Sequence, residues 1–141
     1  MTAYDQSNIF ARILRGEIPC QRVHEDEATL AFMDVMPQAT GHTLIVPKRP
    51  SRNLLDVEPE DLCAVMKTAQ KIARAVKKAF NSDGVLIMQF NEEAAGQTVF
   101  HFHVHVIPRK AGEPLRQHAR QMADPAELAD HAKRIREALG S

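Results

Sequence analysis

The sequence predicts an α+β domain in which an antiparallel sheet of about five strands carries one long helix and short N- and C-terminal helices. Short runs rich in β-branched and aromatic residues are separated by turn-forming Gly and Pro. The first of these runs follow one another closely, which favours antiparallel pairing. A long run after the third has the three- and four-residue apolar spacing of a helix that packs on a sheet.

The elements are expected in a defined order along the chain. Ser7 precedes an apolar pattern that predicts a short capped helix ending at Gly16. Strands are expected at 23–25, 29–34, 42–48, 85–91 and 99–108. A long helix is expected from Pro59 to about Phe80, because proline suits the first helical position and acidic residues surround it. Asp124, Pro125 and Glu127 predict the start of a C-terminal helix.

Length and charge limit the kind of partner that the protein binds. The 141 residues suffice for one domain, and 18 basic residues balance 18 acidic ones. Zero net charge argues against a nucleic acid or an anionic membrane surface and favours a small ligand. The start lacks the pattern of a signal peptide, so a soluble cytoplasmic protein is expected. Cys20 and Cys63 are far apart, which indicates neither a disulfide framework nor a thiolate metal site.

The most informative segment is FHFHVHV, residues 100–106, which has a histidine at every second position. In an extended strand His101, His103 and His105 project from one face, and the apolar residues between them project from the other. Neighbouring imidazoles on that face start about 6.6 Å apart, two strand rises of ~3.3 Å. Three rings at this spacing can converge on one small ion or anion.

Three interpretations of this histidine run are open. In the first interpretation the rings are core residues with backbone partners, although each buried imidazole must then satisfy two ring nitrogens. Alternatively they bind Zn²⁺ with an open fourth position, although no Asp, Glu or Cys stands within a few residues. In the third interpretation one imidazole is the nucleophile of a phosphoryl-type transfer and the others handle protons and charge. The preceding Gly96-Gln97-Thr98 loop would supply hydrogen-bond donors for phosphate.

The stretch AGQTVFHFHVHVIPRKAG resembles the signature of the histidine triad (HIT) superfamily, His-φ-His-φ-His-φ-φ with φ apolar. Upstream, NIFARILRGEIP is similar to the first helix of that family, and AFMDVMPQATGHTLIVPK to its two ribose-binding strands. The resemblance implies a single HIT-like domain over 1–141, with a core at about 7–110 and a C-terminal helical extension at about 111–141. It also implies a nucleotide hydrolase or transferase that acts at the α-phosphate through a nucleotidyl-histidine intermediate.

The resemblance assigns roles by position. His103 would be the nucleophile, while His101 and His105 would orient it and assist the departing group. His42 matches a histidine that supports the triad, and Asp34 an acid that binds the ribose hydroxyls. The positions that match contacts to the phosphate or leaving group are Asn91, Gln97 and Thr98. The positions that match the pocket for the base are Ile9, Phe10, Ile13, Ile18, Phe32 and Val35.

The implied activity is release of AMP or GMP from a purine nucleotide derivative of the nucleoside phosphoramidate type. Since VIPRKAG resembles the dinucleoside polyphosphate hydrolase branch, such substrates are an alternative, and a nucleotide-binding module with little turnover is another. No cofactor is expected, because neutral imidazole is already a nucleophile. The segment SNIFAR lacks the Cys-x-x-Cys of some bacterial relatives, so no structural zinc is expected. The relatives also imply a homodimer.

Overall fold

The structure, a computed structural model, describes residues 3–116 and 121–140. Parts of the expected C-terminal extension, 117–120 and residue 141, lie outside the described residues. The elements in chain order are α1 (Ile9–Leu14), β1 (Arg22–Glu25), β2 (Thr29–Met33), β3 (Thr43–Pro47), α2 (Pro59–Ala79), β4 (Gly84–Met88), a short 3₁₀ turn (Glu93–Ala95), β5 (Val104–Arg109) and α3 (Pro125–Leu139). This confirms the predicted α+β class with one long helix.

The strands form one antiparallel sheet in the order β1-β2-β3-β5-β4. Consecutive strands β1, β2 and β3 lie side by side, as their short connections require. The chain then crosses through α2 to β4 at the sheet edge and returns with β5, which pairs with both β3 and β4. The C-terminal half of the histidine run is therefore in the interior of the sheet.

Both faces of the sheet are covered, which explains why every residue of β2 and β3 is buried. One face packs against α2 and α3, with Ala31, Ile45 and Val106 among its contacts. The opposite face packs against α1 in a smaller cluster that contains Phe10 and Phe32. Because side chains alternate along a strand, neighbouring residues of β5 face these two different environments.

The helix boundaries follow the predicted signals with small shifts. Helix α1 is capped by Asn8, whose side chain accepts from the Ala11 N–H, rather than by Ser7. Helix α2 has Pro59 at its start and ends at Ala79, one residue before the predicted end. Asp124 caps α3 and accepts from the Ala126 N–H, as predicted. Among the described residues, no helix has both the length and the apolar composition needed to cross a membrane.

Candidate active site

The histidine run is only partly a strand. Strand β5 begins at Val104, so the prediction of a strand over 99–108 is wrong for 99–103. Pro47 has no N–H with which to extend the ladder, and its carbonyl oxygen accepts from the His101 ring at 2.8 Å. The Phe102 N–H donates instead to the Ser51 carbonyl at 2.8 Å. The chain therefore leaves the sheet just where the first two histidines stand.

The alternation of faces nevertheless holds for most of the run. Phe102, Val104 and Val106 belong to the apolar cluster under α2 and α3. On the opposite face the His103 ring makes an edge contact with Phe10, with centroids 4.8 Å apart. Phe100 departs from the pattern, because it lies under the Arg52 guanidinium at 4.2 Å.

His103 has a defined tautomer. Its Nδ1 atom lies 2.6 Å from the carbonyl oxygen of His101. A carbonyl oxygen only accepts, so Nδ1 carries the proton and the lone pair of the neutral ring is on Nε2. His103 is 8% exposed, and its ring centroid is 5.0 Å from that of His105. The middle histidine thus has the form that a nucleophilic imidazole needs.

A second hydrogen-bond chain fixes His105. The backbone N–H of Gln38 donates to Nδ1 of His42 at 3.0 Å, so the proton of His42 is on Nε2. That Nε2 lies 2.9 Å from Nδ1 of His105 and 3.4 Å from Oδ2 of Asp34. Nδ1 of His105 therefore accepts, and the proton of His105 is on Nε2. His103 and His105 hold opposite tautomers because one donates and the other accepts through Nδ1.

The loop between β2 and β3 positions Asp34 and His42. The Asp34 N–H donates to the His42 carbonyl, and its Oδ1 accepts from the Met36 N–H at 2.8 Å. Gly41 has φ +91°, and a Cβ there would lie 2.5 Å from the Phe80 ring. Only glycine combines this left-handed conformation with so close an approach. The site therefore depends on a glycine directly before His42.

His101 is fully buried, and both of its ring nitrogens have protein partners. Nε2 donates to the Pro47 carbonyl, and Nδ1 accepts from the Tyr4 hydroxyl at 2.5 Å. Burial raises the pKa of Tyr4, which keeps this hydroxyl protonated, and Asn8 donates to its oxygen at 2.9 Å. Burial also lowers the pKa of His101, which favours the neutral ring. Tyr4 was not predicted from the sequence, because nothing in its spacing relates it to the histidines.

Gln97 stabilises the loop before the histidines. Its Oε1 accepts from the Glu92 N–H and the Asn53 amide, and its Nε2 donates to the carbonyls of Arg52 and Val99. These four bonds use both N–H donors and both acceptor positions of the Gln97 amide, and the side chain is only 2% exposed. The predicted donation from the Gln97 amide to phosphate would require breaking one of them.

The same loop contains a strained residue. Glu92 has φ +74° and ψ 159°, a region that non-glycine residues rarely occupy. Its carboxylate accepts two hydrogen bonds from the Arg52 guanidinium, both at 2.9 Å, and one from Asn53. The pairing with Arg52 is the main reason that the pKa of Glu92 is lowered. This network holds the backbone that leads into the histidine run.

The other predicted phosphate and base positions are placed as follows. Asn91 accepts from the Leu54 N–H and pairs with the Gln89 amide, while Thr98 is exposed. Phe10, Ile13 and Phe32 come together in the cluster under α1, where the Phe10 and Phe32 rings meet edge to face at 5.4 Å. Ile9 and Val35 are 44% and 40% exposed, and Ile18 is half-buried. The structure thus joins the aromatic part of the predicted pocket to His103.

Within the residues that the structure describes, the fold also brings together a group of potential metal ligands. Asp34, His42 and His105 each offer one ligand atom, and these atoms lie within 4.8 Å of one another. This set differs from the three histidines of the sequence-based zinc interpretation, because folding supplies a carboxylate that is far away in the sequence. In the tautomers assigned above, Nε2 of His42 donates to His105, so metal binding would require loss of that proton.

Comparisons with known proteins identify the family. Residues 15–112 match the family described as HIT domain. The chain is 38% identical over 117 residues to Adenylylsulfatase HINT3 of Arabidopsis thaliana, an alignment that covers 79% of this chain and 59% of that protein, less than two thirds of its length. It is 42% identical over 101 residues to Protein hit of Bacillus subtilis, which covers 72% of this chain and 70% of that protein.

Two solved structures agree with this assignment. A Hit-like protein involved in cell-cycle regulation from Bartonella henselae is 54% identical with a TM-score of 0.91, covering 96% of this chain and 99% of that one. A Zn-bound histidine triad family protein from Mycobacterium smegmatis is 36% identical with a TM-score of 0.85, covering 96% and 94%. The fold and the sequence thus lead to the same family.

Proposed function

Because the chain belongs to the HIT family, a superfamily of nucleotide-binding proteins and hydrolases, we propose that it hydrolyses a purine nucleotide derivative at its α-phosphate and releases AMP or GMP. The substrate class that we favour is a nucleoside 5′-phosphoramidate. The observation that carries the proposal is the 2.6 Å hydrogen bond from His103 Nδ1 to the His101 carbonyl, because it puts the lone pair of the ring on Nε2.

In the first step, Nε2 of His103 attacks the α-phosphorus of a substrate whose amine is protonated. The bond from phosphorus to Nε2 forms, the bond from phosphorus to nitrogen breaks, and neutral ammonia or amine departs. The His103 ring then carries a positive charge, which its Nδ1–H shares with the His101 carbonyl. Positioning and charge stabilisation are the main demands of such a transfer.

In the second step, water attacks the phosphorus of the nucleotidyl-histidine intermediate. The bond from phosphorus to Nε2 breaks, the oxygen of the water becomes part of the monophosphate, and a proton is released. His103 returns to its neutral tautomer with the lone pair on Nε2, ready for another turnover. The sum of the two steps is phosphoramidate plus water giving nucleoside monophosphate plus amine.

His105 and His101 have different roles in this proposal. Nε2–H of His105 donates a hydrogen bond to the lone pair that forms on the departing nitrogen, and His42 holds the ring in that tautomer at 2.9 Å. The His101 ring is occupied by Tyr4 and Pro47, so we assign it the orientation of His103 through its carbonyl. Asp34 would accept from the ribose hydroxyls, and Phe10 and Phe32 would contact the base.

The proposed chemistry needs no metal. The nucleophile is a neutral imidazole with a fixed tautomer, so no Lewis acid is required to generate it. The opposing hypothesis is a zinc ion on Asp34, His42 and His105. A metal chelator separates the two, because it would leave the imidazole mechanism intact and would abolish activity that depends on zinc.

Other substrates and a binding role are the alternatives. Dinucleoside polyphosphates contain the same α-phosphate with a different leaving group. The Arabidopsis relative is an adenylylsulfatase by name, so adenylyl sulfate belongs among the compounds to be tested. A nucleotide-binding module with little turnover would bind AMP and release none.

The test is release of AMP from adenosine 5′-phosphoramidate, diadenosine polyphosphate and adenylyl sulfate, each with and without chelator. We expect phosphoramidate to be cleaved fastest, with no effect of the chelator. His103→Ala should lower the rate by at least roughly 10⁴-fold. The matched control is His24→Gln, because His24 lies on the edge strand β1, away from the triad, and its ring contacts Asp26. AMP binding without release from any substrate would favour the binding module.

We also propose that the protein is a homodimer paired along β4. This strand is at the edge of the sheet, and Ile87 on it is 43% exposed. Met66 of α2 is 44% exposed and lines a recess with Cys63, Ala73 and Ile87. An open edge strand beside an apolar surface favours pairing with a second copy of the chain.

A further inference from the structure

A cationic cavity lies apart from the histidines. It has a volume of about 250 Å³ and is bordered by the loop between β2 and β3, the ends of α2 and β5, and α3. Its charged lining residues are Lys110, Arg116, Arg134 and Glu113, which leaves an excess of positive charge. Within the described residues, none of the three cations forms an ion pair with an acidic side chain.

The arginines are held in place without using up their donors. One nitrogen of Arg134 donates to the Ala79 carbonyl at 2.9 Å, and its guanidinium stacks on the Phe80 ring at 4.6 Å. One nitrogen of Arg116 donates to the Thr40 hydroxyl at 3.2 Å. A guanidinium has five N–H donors, so each side chain retains donors that a ligand oxygen can use.

A buried hydroxyl in the wall of the cavity points to the same kind of ligand. Ser82 is 6% exposed, and its Oγ has no hydrogen-bond partner among the described residues. Ser82 is part of the lining, beside Phe80 and Pro108. A buried hydroxyl without a partner is unfavourable, and an acceptor atom brought by a ligand would remove that cost.

We propose that this cavity binds a phosphate-type oxyanion at a site distinct from the catalytic histidines. The three cations outnumber the single acid Glu113, so the lining attracts such an anion, and the buried Ser82 hydroxyl would supply a neutral donor once a ligand oxygen reaches it. This inference goes beyond the proposed hydrolysis and does not depend on it, because it concerns binding by a different set of side chains.

The test is calorimetric titration of the full chain with inorganic pyrophosphate at constant ionic strength. We expect one anion per chain in wild type and roughly tenfold weaker binding in Lys110→Ala and in Arg116→Ala, because each loses one charged donor. Ser82→Ala removes no hydrogen bond from the unliganded protein, so a loss of affinity in this variant reports contact with the anion. Unfolding temperatures verify that each variant is folded.

Two control variants establish whether the anion binds in this cavity. Lys133→Ala removes an exposed cation of α3 that is not part of the lining, and it should leave affinity within about twofold. His103→Ala should also leave affinity within about twofold, whether or not the protein is a hydrolase. The proposal is overturned if wild type does not bind, if Lys133→Ala weakens binding as much as Lys110→Ala, or if binding is lost in His103→Ala.

Discussion

Nε2 of His42 lies 2.9 Å from Nδ1 of His105, and both rings are buried. Because the Gln38 N–H occupies the other nitrogen of His42, this contact has only one direction, from His42 to His105. Replacing His42 by Phe would remove the donor and allow His105 to change tautomer. We expect the kcat of AMP release to fall on the order of 10- to 100-fold, with a smaller change in KM.

The conservative replacement separates positioning from packing. In His42→Gln a side-chain amide retains an N–H donor near His105, so part of the lost kcat should return. Steady-state kinetics of both variants, with unfolding temperatures as a check, give the comparison. Equal losses of kcat in His42→Phe and His42→Gln would contradict the role of the hydrogen bond.

Tyr4 fixes the first histidine from the N-terminal segment. Tyr4→Phe removes the hydroxyl that donates to Nδ1 of His101 and leaves a buried acceptor without its donor. We expect the free energy of unfolding to fall by about 1 kcal/mol. Urea denaturation measures it, and Ser7→Ala is the control, because that exposed hydroxyl bonds only Asp5 nearby. A Tyr4→Phe variant as stable as wild type would show that this hydrogen bond makes no net contribution to the free energy of unfolding.

Asp26 makes stability depend on pH in acid. Burial would raise the pKa of its carboxyl, but hydrogen bonds from Thr29, His24 and Ala28 outweigh it and lower the pKa from 3.8 to about 2. The carboxylate therefore stabilises the folded state above pH 3.8, and this contribution disappears as the pH falls through about 2. Since the side chain is 40% exposed, we discount the effect to about 1 kcal/mol.

The variant Asp26→Asn should be less stable than wild type at pH 6, and the difference should shrink between pH 4 and pH 2. Denaturant unfolding at several pH values measures this. Glu27→Gln, at an exposed neighbour, should follow wild type throughout. A difference that stays constant down to pH 2 would mean that the charge of Asp26 is not involved.

The proposed dimer depends on the open edge of β4. A lysine at position 87 would put a charge on an edge residue that is now apolar and 43% exposed. We expect Ile87→Lys to shift the protein from dimer to monomer in sedimentation analysis. Leu55→Lys is the matched control, because Leu55 is 66% exposed and belongs to neither β4 nor α2. A wild-type monomer, or a dimer in both variants, would exclude this interface.

The sequence predicted the sheet, the long helix and the family because these depend on local patterns. Period-two and three-to-four-residue spacing identify strands and helices directly. The boundary at Val104 was missed, because it depends on Pro47 in another strand and on a bond between Phe102 and Ser51. Tertiary contacts of this kind are invisible in the run FHFHVHV itself.

The tautomers of the histidines could not be predicted from the sequence either. They depend on a backbone N–H of Gln38, a carbonyl of His101 and the hydroxyl of Tyr4, none of which has a sequence signature. The resemblance implies that His42 supports the triad, and the structure places His42 against His105. For Gln97 the resemblance implies contact with the phosphate or leaving group, and the four hydrogen bonds that its side chain makes within the protein have no signal in the sequence.

The proposed mechanism requires a covalent bond between His103 and the nucleotide, and rapid quenching into alkali detects it, since a phosphorus–nitrogen bond to histidine survives in base. Wild type would be mixed with adenosine 5′-phosphoramidate, quenched within milliseconds, digested and analysed by mass spectrometry. We expect an adenylyl group on the peptide that contains His103, formed at least as fast as AMP is released. Release of AMP without that adduct, or an adduct on another residue, would contradict the mechanism.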